Sequence, residues 1–485
     1  MSMEAGLPAN PILRRSNAPR PKVGIVHLGP GAFFRAFSAP FTSEAVAQSG
    51  GDWGILTVSL RSPGIRDKLK PQDCAYTSVT LAPDGAEYAV IEVIDDILVA
   101  PENPPAVLDA MADPAMKILS LTITEKGYCS NPATGGLLLD HPDIAHDLAH
   151  PSTPKSAIGY IVHALNLRRL AGAAPFTVMS CDNLPNNGPL TRAVVLDFAR
   201  AFDVDLADWV ATNCRFPATM VDRITPATTQ ADVDALAAAQ GYVDNACVMH
   251  EPFRQWVITD DFVDGERPDW GAVGAQLVSD VEAFELMKLR CLNGTHSALA
   301  YLGYLAGYET ISKTVADPAF ARFIKTLWAD EIIPTLPQLE GEDLTAYAHS
   351  LLTRYQNPAI RHKTWQIAMD GSQKLPQRLL GTIADNLEAG RDIAGLSLAV
   401  AGWMRYVGGV DEKGAPIDVK DPLAAQLRAA YDSHDTPETK VAALLAIGDV
   451  FPADLAKNAT FRAAVTGAFT QLCANGARVT VQGMT

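Results

Sequence analysis

Lys22-Val-Gly-Ile-Val-His27-Leu28-Gly29-Pro30-Gly31-Ala-Phe33-Phe34-Arg35 is the stretch that decides the fold of the first half of this chain. The apolar run from Val23 to Leu28 reads as a buried strand, the two glycines as a tight turn, and the residues after them as the start of a helix. A strand feeding a glycine turn and a helix is the opening of a dinucleotide-binding βαβ unit, with Gly29 permitting the turn and Gly31 letting backbone amides approach a pyrophosphate. The third glycine of the usual fingerprint is absent, because Phe34 stands in its place. On its own the motif leaves a cofactor turn and an ordinary strand-turn-helix equally open.

Working outward, Trp53-Gly-Ile-Leu-Thr-Val-Ser-Leu60 follows at the distance expected of a second strand in such a unit. An acidic residue for the ribose hydroxyls usually ends that strand. Here the sequence is Arg61-Ser62-Pro63-Gly64, with Asp67 a few residues late, so Arg61 or Arg66 facing a 2′-phosphate stays open beside the NAD reading. Tyr76 to Ile94 alternates like a hairpin around Pro83-Asp84-Gly85. Met116–Thr124 and Phe176–Ser180 are β-rich apolar runs of the kind buried in a parallel sheet. They end in Glu125-Lys126-Gly127 and Cys181-Asp182-Asn183, where ligands of open α/β sheets bind. Asn183 is thus a site candidate, although Asp182 to Gly188 is dense in turn formers that favour an Asx turn or helix cap. Glu125 is open between a solvated loop carboxylate and a group relaying a proton to water.

From about Asp280 the texture changes to long helical periodicity: Val281–Ala306, Pro318–Ile333, Asp343–Tyr355, Arg378–Ala389 and Ala394–Tyr406. The expected organisation is two domains, a Rossmann-like α/β dinucleotide-binding domain over 1–280 and an all-helical substrate domain over 281–485. The first helix of the second half carries Lys288, Asn293 and His296. At roughly 100° per residue, His296 lies about 80° from Lys288 and Asn293 about 140°, so lysine and imidazole share a face with the amide at its edge. Burial lowers a lysine's pKa toward that of a useful base. An amide NH₂ and an imidazole N–H stabilise a developing alkoxide as an oxyanion hole does. The plain alternative is a surface lysine paired with Glu285 one turn back, beside a satisfied core histidine. In the loop Met369 to Arg378, Lys374 and Arg378 are open between solvated charges at a helix start and a clamp for a substrate carboxylate.

The composition excludes several classes. Of 485 residues, 48% are hydrophobic and 19% charged, with a net charge of −16, which argues against nucleic acid or an anionic membrane as partner. An anionic substrate would need local cations to oppose that field. Seven scattered cysteines without paired spacing read as free thiols of a reducing, cytoplasmic compartment, and supply no zinc motif, so no metal is expected. The polar N-terminus, Met1 to Lys22, has no apolar h-region, disorder is expected only there, and no stretch is apolar enough to span a membrane.

Taken together, the landmarks Gly29-x-Gly31-x-Phe33-x-Arg35-Ala36, Thr122-Ile-Thr-Glu125-x-Gly127-Tyr128, Ser180-Cys-Asp-Asn183-Leu, Met220-Val-Asp222-Arg223-Ile-Thr-Pro226 and Lys288-x4-Asn293-Gly294-x-His296 resemble the polyol-specific long-chain dehydrogenases. That is the family of mannitol 2-dehydrogenase and the hexuronate reductases, and the resemblance runs from about Val23 to Ala477. It implies an NAD-dependent dehydrogenase of monomeric or weakly oligomeric habit, with Lys288 as general base, Asn183 and Asn293 as the oxyanion hole and His296 as partner of a substrate hydroxyl. Glu125 and Asp222 are implied near the proton path, and Gly29, Gly31, Phe33 and Arg35 toward the cofactor. Several segments, among them Glu125-Lys-Gly-Tyr-Cys129, Glu251-Pro-Phe-Arg254 and Trp365-Gln366 to Arg378, are more similar to the hexuronate reductases than to the mannitol enzymes. Mannitol dehydrogenases tend to carry arginine where this chain has Gln366. A sugar acid of the D-fructuronate and D-mannonate type is therefore the expected substrate, with mannitol or another polyol as alternative, and Arg361, Lys374 and Arg378 as clamp candidates near His362. Two departures stand out: Phe34 and Phe37 replace the family's usual histidines, and the acid after the second strand is missing at Pro63-Gly64.

Overall fold

A computed structural model describes residues 10–131, 134–339 and 342–484. The expectation of N-terminal disorder falls partly outside these residues, at Met1 to Ala9. From Asn10 onward the leader is tied down: Leu13 N–H donates to Val243 O at 2.9 Å, and the Arg15 guanidinium donates to the carbonyl of Ile94 at 2.7 Å. The chain divides into two compact units, Met1–Glu282 and Ala283–Thr485.

The first unit is built on β1 (Val23–Leu28), β2 (Gly54–Ser59), β5 (Ile94–Val99), β6 (Ile118–Leu121) and β7 (Thr177–Ser180), after the hairpin β3 (Tyr76–Ala82) and β4 (Gly85–Ile91). The five form one parallel sheet in the order β5-β2-β1-β6-β7. Being covered on both faces, these strands are nearly continuous apolar runs, which is why they were legible. One face packs against the helices Pro104–Ala112, Ala157–Leu170, Asn187–Phe202 and Val204–Asn213. The other packs against Ala32–Ala36 and Ser38–Ser49 with Trp256 and Trp270. The strand order reverses between β1 and β6, and at such a switch point the carboxyl ends leave a crevice for ligand. The loop after β1 carries Gly29, and the loop after β6 carries Thr122 to Glu125.

The hairpin predicted around Pro83 is present, with Ala82 paired to Gly85, and it forms a second sheet with β9 (Val248–His250). β8 (Thr219–Asp222), β10 (Gln255–Thr259) and β11 (Gln276–Val278) form a third.

The second unit is helical, and its described residues form no strand beyond isolated bridges. Its centre is the helix Ala394–Val407, packed against Ala459–Gly483 and Thr295–Leu305. One expectation needs correction. The stretch read as a single α-helix over Val281–Ala306 is α-helical at Glu282–Met287, π-helical at Lys288–Gly294 and α-helical again at Thr295–Leu305. A wheel of 100° per residue does not hold across it. In a π-helix the hydrogen bonds run i→i+5, so residues five apart lie on successive turns of one side. Lys288 and Asn293 are five apart, which brings the amide toward the lysine's face.

Candidate active site

In the first unit, Gly29 adopts φ +94°, and a Cβ there would lie 2.2 Å from the carbonyl oxygen of Thr122. The turn thus fits against the end of β6 only without a side chain. Gly31 faces open space, its nearest would-be neighbour 3.8 Å away. Beneath the turn, His27 is fully buried. Its Nε2 lies 3.0 Å from Thr122 Oγ1 and 3.2 Å from Gly29 O, and its Nδ1 lies 2.8 Å from Ser120 Oγ. Because Thr122 Oγ1 donates to Gly29 O at 2.7 Å, the network assigns the proton to Nε2 and leaves Nδ1 to accept from Ser120. Burial pushes the imidazole down to about 3, so it is neutral at pH 7. Phe34 stacks on this ring at 3.7 Å and 11°, which is how a bulky residue occupies the place of the third glycine. Phe37, at the other replaced histidine, packs into the core against Trp256 at 5.5 Å.

Phe33 is half-buried and stacks on Phe37 at 5.0 Å. Arg35 is buried, and its guanidinium donates to Pro30 O at 2.6 Å, pinning the turn from behind. After β2, Ser59 Oγ donates to Ser62 O at 2.6 Å, and Arg61 is exposed. Arg66 is held by Asp67 at 2.8 Å and by Glu102. Two acids therefore occupy one of the two cations that sequence reasoning left available for a 2′-phosphate.

The loops after β6 and β7 carry Glu125 and Asn183, and Asp222 is the last residue of β8. Glu125 and Asn183 are exposed, while Asp222 is buried at the end of its strand. Next to it Arg223 donates to Ala36 O at 2.7 Å and to Glu251 O at 3.1 Å. Sequence reasoning missed Asp182 and Asn187. The buried Asp182 carboxylate accepts the amides of Ile123 and Thr124, each at 2.9 Å, and the hydroxyl of Tyr128 at 2.7 Å. Burial raises its pKa, against the pull of those three donors. Thr124 sits at φ +64°, ψ 165°, a region native to glycine that costs about 1–3 kcal/mol and persists only where surroundings enforce it. Asn187 Nδ2 donates to Asp182 O at 3.1 Å and Thr219 O at 2.8 Å, and its Oδ1 accepts Thr219 N–H at 2.9 Å. The run of turn formers seen in the sequence is thus a knot joining the loops after β6 and β7 to the start of β8.

In the second unit, Lys288 is 8% exposed and His296 7%, while Asn293 is partly buried. Where the π segment meets the α-helix, carbonyls also accept hydrogen bonds from side chains. Cys291 O accepts Thr295 Oγ1 at 2.6 Å and Trp328 Nε1 at 2.9 Å, and Leu292 O accepts the Tyr355 hydroxyl at 2.9 Å. Arg290 anchors the segment to Asp385 at 2.6 Å. Tyr355 also stacks on His296 at 5.2 Å, and His362 meets that ring edge-on at 4.7 Å. Among the described residues, His296 Nε2 has no hydrogen-bond partner. Burial first, then His362, Arg378, Arg354 and Lys374, hold His296 well below the usual histidine range, so it is neutral at pH 7. His362 is pushed down to about 4 by burial and Lys374. A neutral imidazole in cationic surroundings suits a ligand that brings both hydroxyls and a negative charge.

The three clamp candidates separate. Arg378 is half-buried and donates to Ser297 Oγ at 3.1 Å, and burial lowers its pKa. Lys374 donates to Met369 O at 2.5 Å and lies 3.9 Å from Asp370. Arg361 is exposed, near Glu309. Arg354, which sequence reasoning passed over, is buried in the helix Leu344–Gln356. It shares the apolar face of Tyr347 and Leu351 at helical spacing, and a charge on such a face was the available signal.

Sequence profiles of the mannitol dehydrogenase Rossmann domain and the mannitol dehydrogenase C-terminal domain match residues 23–272 and 280–473. D-mannonate oxidoreductase of Escherichia coli K12 is 50% identical over 470 residues, 95% of this chain and 95% of that protein. Mannitol 2-dehydrogenase of Phaeosphaeria nodorum is 40% identical over 95% of this chain and 81% of its own length. Among solved structures, the Pseudomonas fluorescens mannitol 2-dehydrogenase ternary complex with NAD and D-mannitol superposes with a TM-score of 0.85 at 38% identity, over 99% of this chain and 97% of that one.

Proposed function

The chain belongs to the mannitol dehydrogenase family, a family of dehydrogenases acting on secondary alcohols, and from that premise we propose that it interconverts D-fructuronate and D-mannonate with NAD. The observation that carries this reading is the 50% identity to D-mannonate oxidoreductase across 95% of both chains. The cationic setting of His296, formed by Arg378, Arg354 and Lys374, supports a substrate with a carboxylate. Each charge-assisted hydrogen bond to such a group is worth about 1.5–3 kcal/mol.

In this reading NAD, held at the turn of Gly29 and Gly31, would supply the hydride acceptor and donor for C5 of the sugar acid, and the residues of this chain do the rest. Gly29 and Gly31 admit the pyrophosphate, a fit supported by a turn that has no room for a Cβ at Gly29 and open space at Gly31. Lys288 takes the hydroxyl proton in oxidation and gives it back in reduction. Asn183 and Asn293 donate hydrogen bonds to the oxygen as charge builds on it. His296, neutral, orients a neighbouring hydroxyl, and Asp222 and Glu125 serve the route of the proton to water. Arg378 and Lys374 receive the carboxylate. The absence of disulfides among the seven cysteines supports a reducing, cytoplasmic setting.

D-Mannitol is the second reading, favoured by the TM-score of 0.85 to the mannitol complex. NADH oxidation followed by absorbance with D-fructuronate, D-tagaturonate and D-fructose in parallel separates the two, and repeating the best substrate with NADPH tests the cofactor. Fast turnover of fructuronate alone is the expected result. A preference for fructose would overturn the carboxylate assignment.

A further inference from the structure

We infer that Asp182 is a positioning residue for the reaction, fixing the loops after β6 and β7 so that the Asn183 amide is presented in one orientation. The inference rests on the reading of Asn183 as an oxyanion donor.

The ladder between β1 and β6 ends at Thr122, whose N–H donates to Leu28 O at 3.0 Å. The next two amides, Ile123 and Thr124, turn instead to the two oxygens of one buried carboxylate, Asp182 Oδ2 and Oδ1. Consecutive N–H groups converging on an anion form a nest, and here the anion comes from the neighbouring loop. Tyr128, fully buried, completes the set: its hydroxyl donates to Asp182 Oδ2 and is itself 2.5 Å from Ser180 Oγ. The loop after β6 is thereby held with Thr124 at a positive φ that its own sequence disfavours.

The backbone of Asp182 is fixed as firmly as its side chain. Its N–H reaches Ser180 Oγ at 3.3 Å, and its carbonyl accepts Leu184 N–H at 2.9 Å and Asn187 Nδ2 at 3.1 Å. Asn183 follows directly, so the peptide entering it has little freedom. A donor aimed at a developing alkoxide is effective only within a few tenths of an ångström of its proper place. A buried carboxylate that takes three donors from the adjacent loop supplies that constraint.

The experiment compares Asp182→Asn, Tyr128→Phe and Asn183→Ala in the full chain, reducing the best substrate of the panel with NADH that carries hydrogen or deuterium at the transferred position. Asp182→Asn turns one acceptor oxygen into a donor and leaves one of the two loop amides without a partner. It is expected to lower kcat at least 10-fold, raise the primary isotope effect on kcat and shift the kcat–pH profile, with NADH affinity by fluorescence within twofold of the parent. Tyr128→Phe removes a single donor, should act in the same direction by a smaller factor, and carries the test if Asp182→Asn does not fold. A residue of merely structural importance would lower the active fraction and leave the isotope effect and pH profile at parental values, and that result overturns the inference. If Asn183→Ala raises the isotope effect while both other variants leave it unchanged, Asp182 alone has been misread. An Asn183→Ala enzyme with parental kcat and isotope effect would remove the premise and the inference together.

Discussion

Lys288 is buried at the start of its π segment, 8% exposed, and its replacement should be felt in the chemical step. Lys288→Ala is expected to lower kcat by about 10²–10⁴, the usual contribution of a positioned acid–base group. NADH binding, read by fluorescence, should stay near parental, and retained turnover would remove lysine from the mechanism. The clamp candidates allow a sharper comparison. Arg378 is half-buried beside Ser297 and bears on His296, while Arg361 is exposed. Arg378→Met should raise KM for the sugar acid roughly 10- to 100-fold, a loss of about 1.5–3 kcal/mol, and spare whatever slow turnover of fructose exists. Arg361→Met should change KM less than twofold. Equal effects on acid and neutral sugar would show that Arg378 does not read the carboxylate. Sequence alone ranked these two cations alike, because burial is a property of the packed helices and not of spacing. Lysine, amide and imidazole were legible because their chemistry converges on alcohol oxidation. Asp182 was not, because a carboxylate in a turn looks like an ordinary surface group until its neighbours are known, whereas Arg354 left a trace in its place on the apolar face of its helix.

At the scale of elements, the parallel strands and the hairpin could be read from apolar runs and turn residues, since their pattern is local. The π segment could not, because helical pattern reading presumes one period throughout. Its register depends on tertiary partners: Trp328 and Tyr355 take up the carbonyls of Cys291 and Leu292, and Arg290 is tied to Asp385. Gly294 closes the segment, and a Cβ there would stand 2.8 Å from the carbonyl oxygen of Arg378 in a second π segment, Pro376–Leu380. Gly294→Ala must therefore push two elements apart, both of which carry proposed site residues, Asn293 on one and Arg378 on the other. Overpacking of this kind costs about 1–3 kcal/mol of stability. The expected outcome is a fall in kcat/KM larger than the loss of thermal stability alone explains at 25 °C, where the protein is still folded. Parental kcat/KM in a folded Gly294→Ala enzyme would show that the spacing of the two segments is irrelevant to the site.

For the molecule as a whole, composition gave the sign of the field but not its local inversion: a net charge of −16 surrounds a histidine whose charged neighbours are arginines and a lysine. Burial of titratable groups also sets how stability depends on pH, through the difference in protons bound by the unfolded and folded chains. His27 and His250 are pushed down to about 3 and His362 to about 4, each chiefly by burial. Below about pH 6.5 the unfolded chain binds protons at these sites that the folded chain refuses, so the histidine contribution to stability is lost as pH falls. Glu331 works in the opposite sense. It is 5% exposed, its carboxylate accepts the amides of Gly395 and Leu396 at 2.7 and 2.8 Å, and burial raises it to about 7. Between about 4.5 and 7 the folded chain holds a proton there that the unfolded chain has released, so this contribution is present at low pH and lost as pH rises through 7. The depressed histidines, to which His163 and His296 also belong, outweigh the raised carboxyls Glu331, Asp182 and Glu412, and the melting temperature of the parent should fall as the buffer is taken from pH 7 to pH 4.5. Glu331→Gln isolates the opposing group: the parent's advantage over the variant should be greatest near pH 4.5, shrink toward pH 7 and be level above it. Thermal melts of both proteins across pH 4.5–8 measure that difference directly, and a difference independent of pH would mean that Glu331 is ionised throughout, its two backbone donors outweighing its burial.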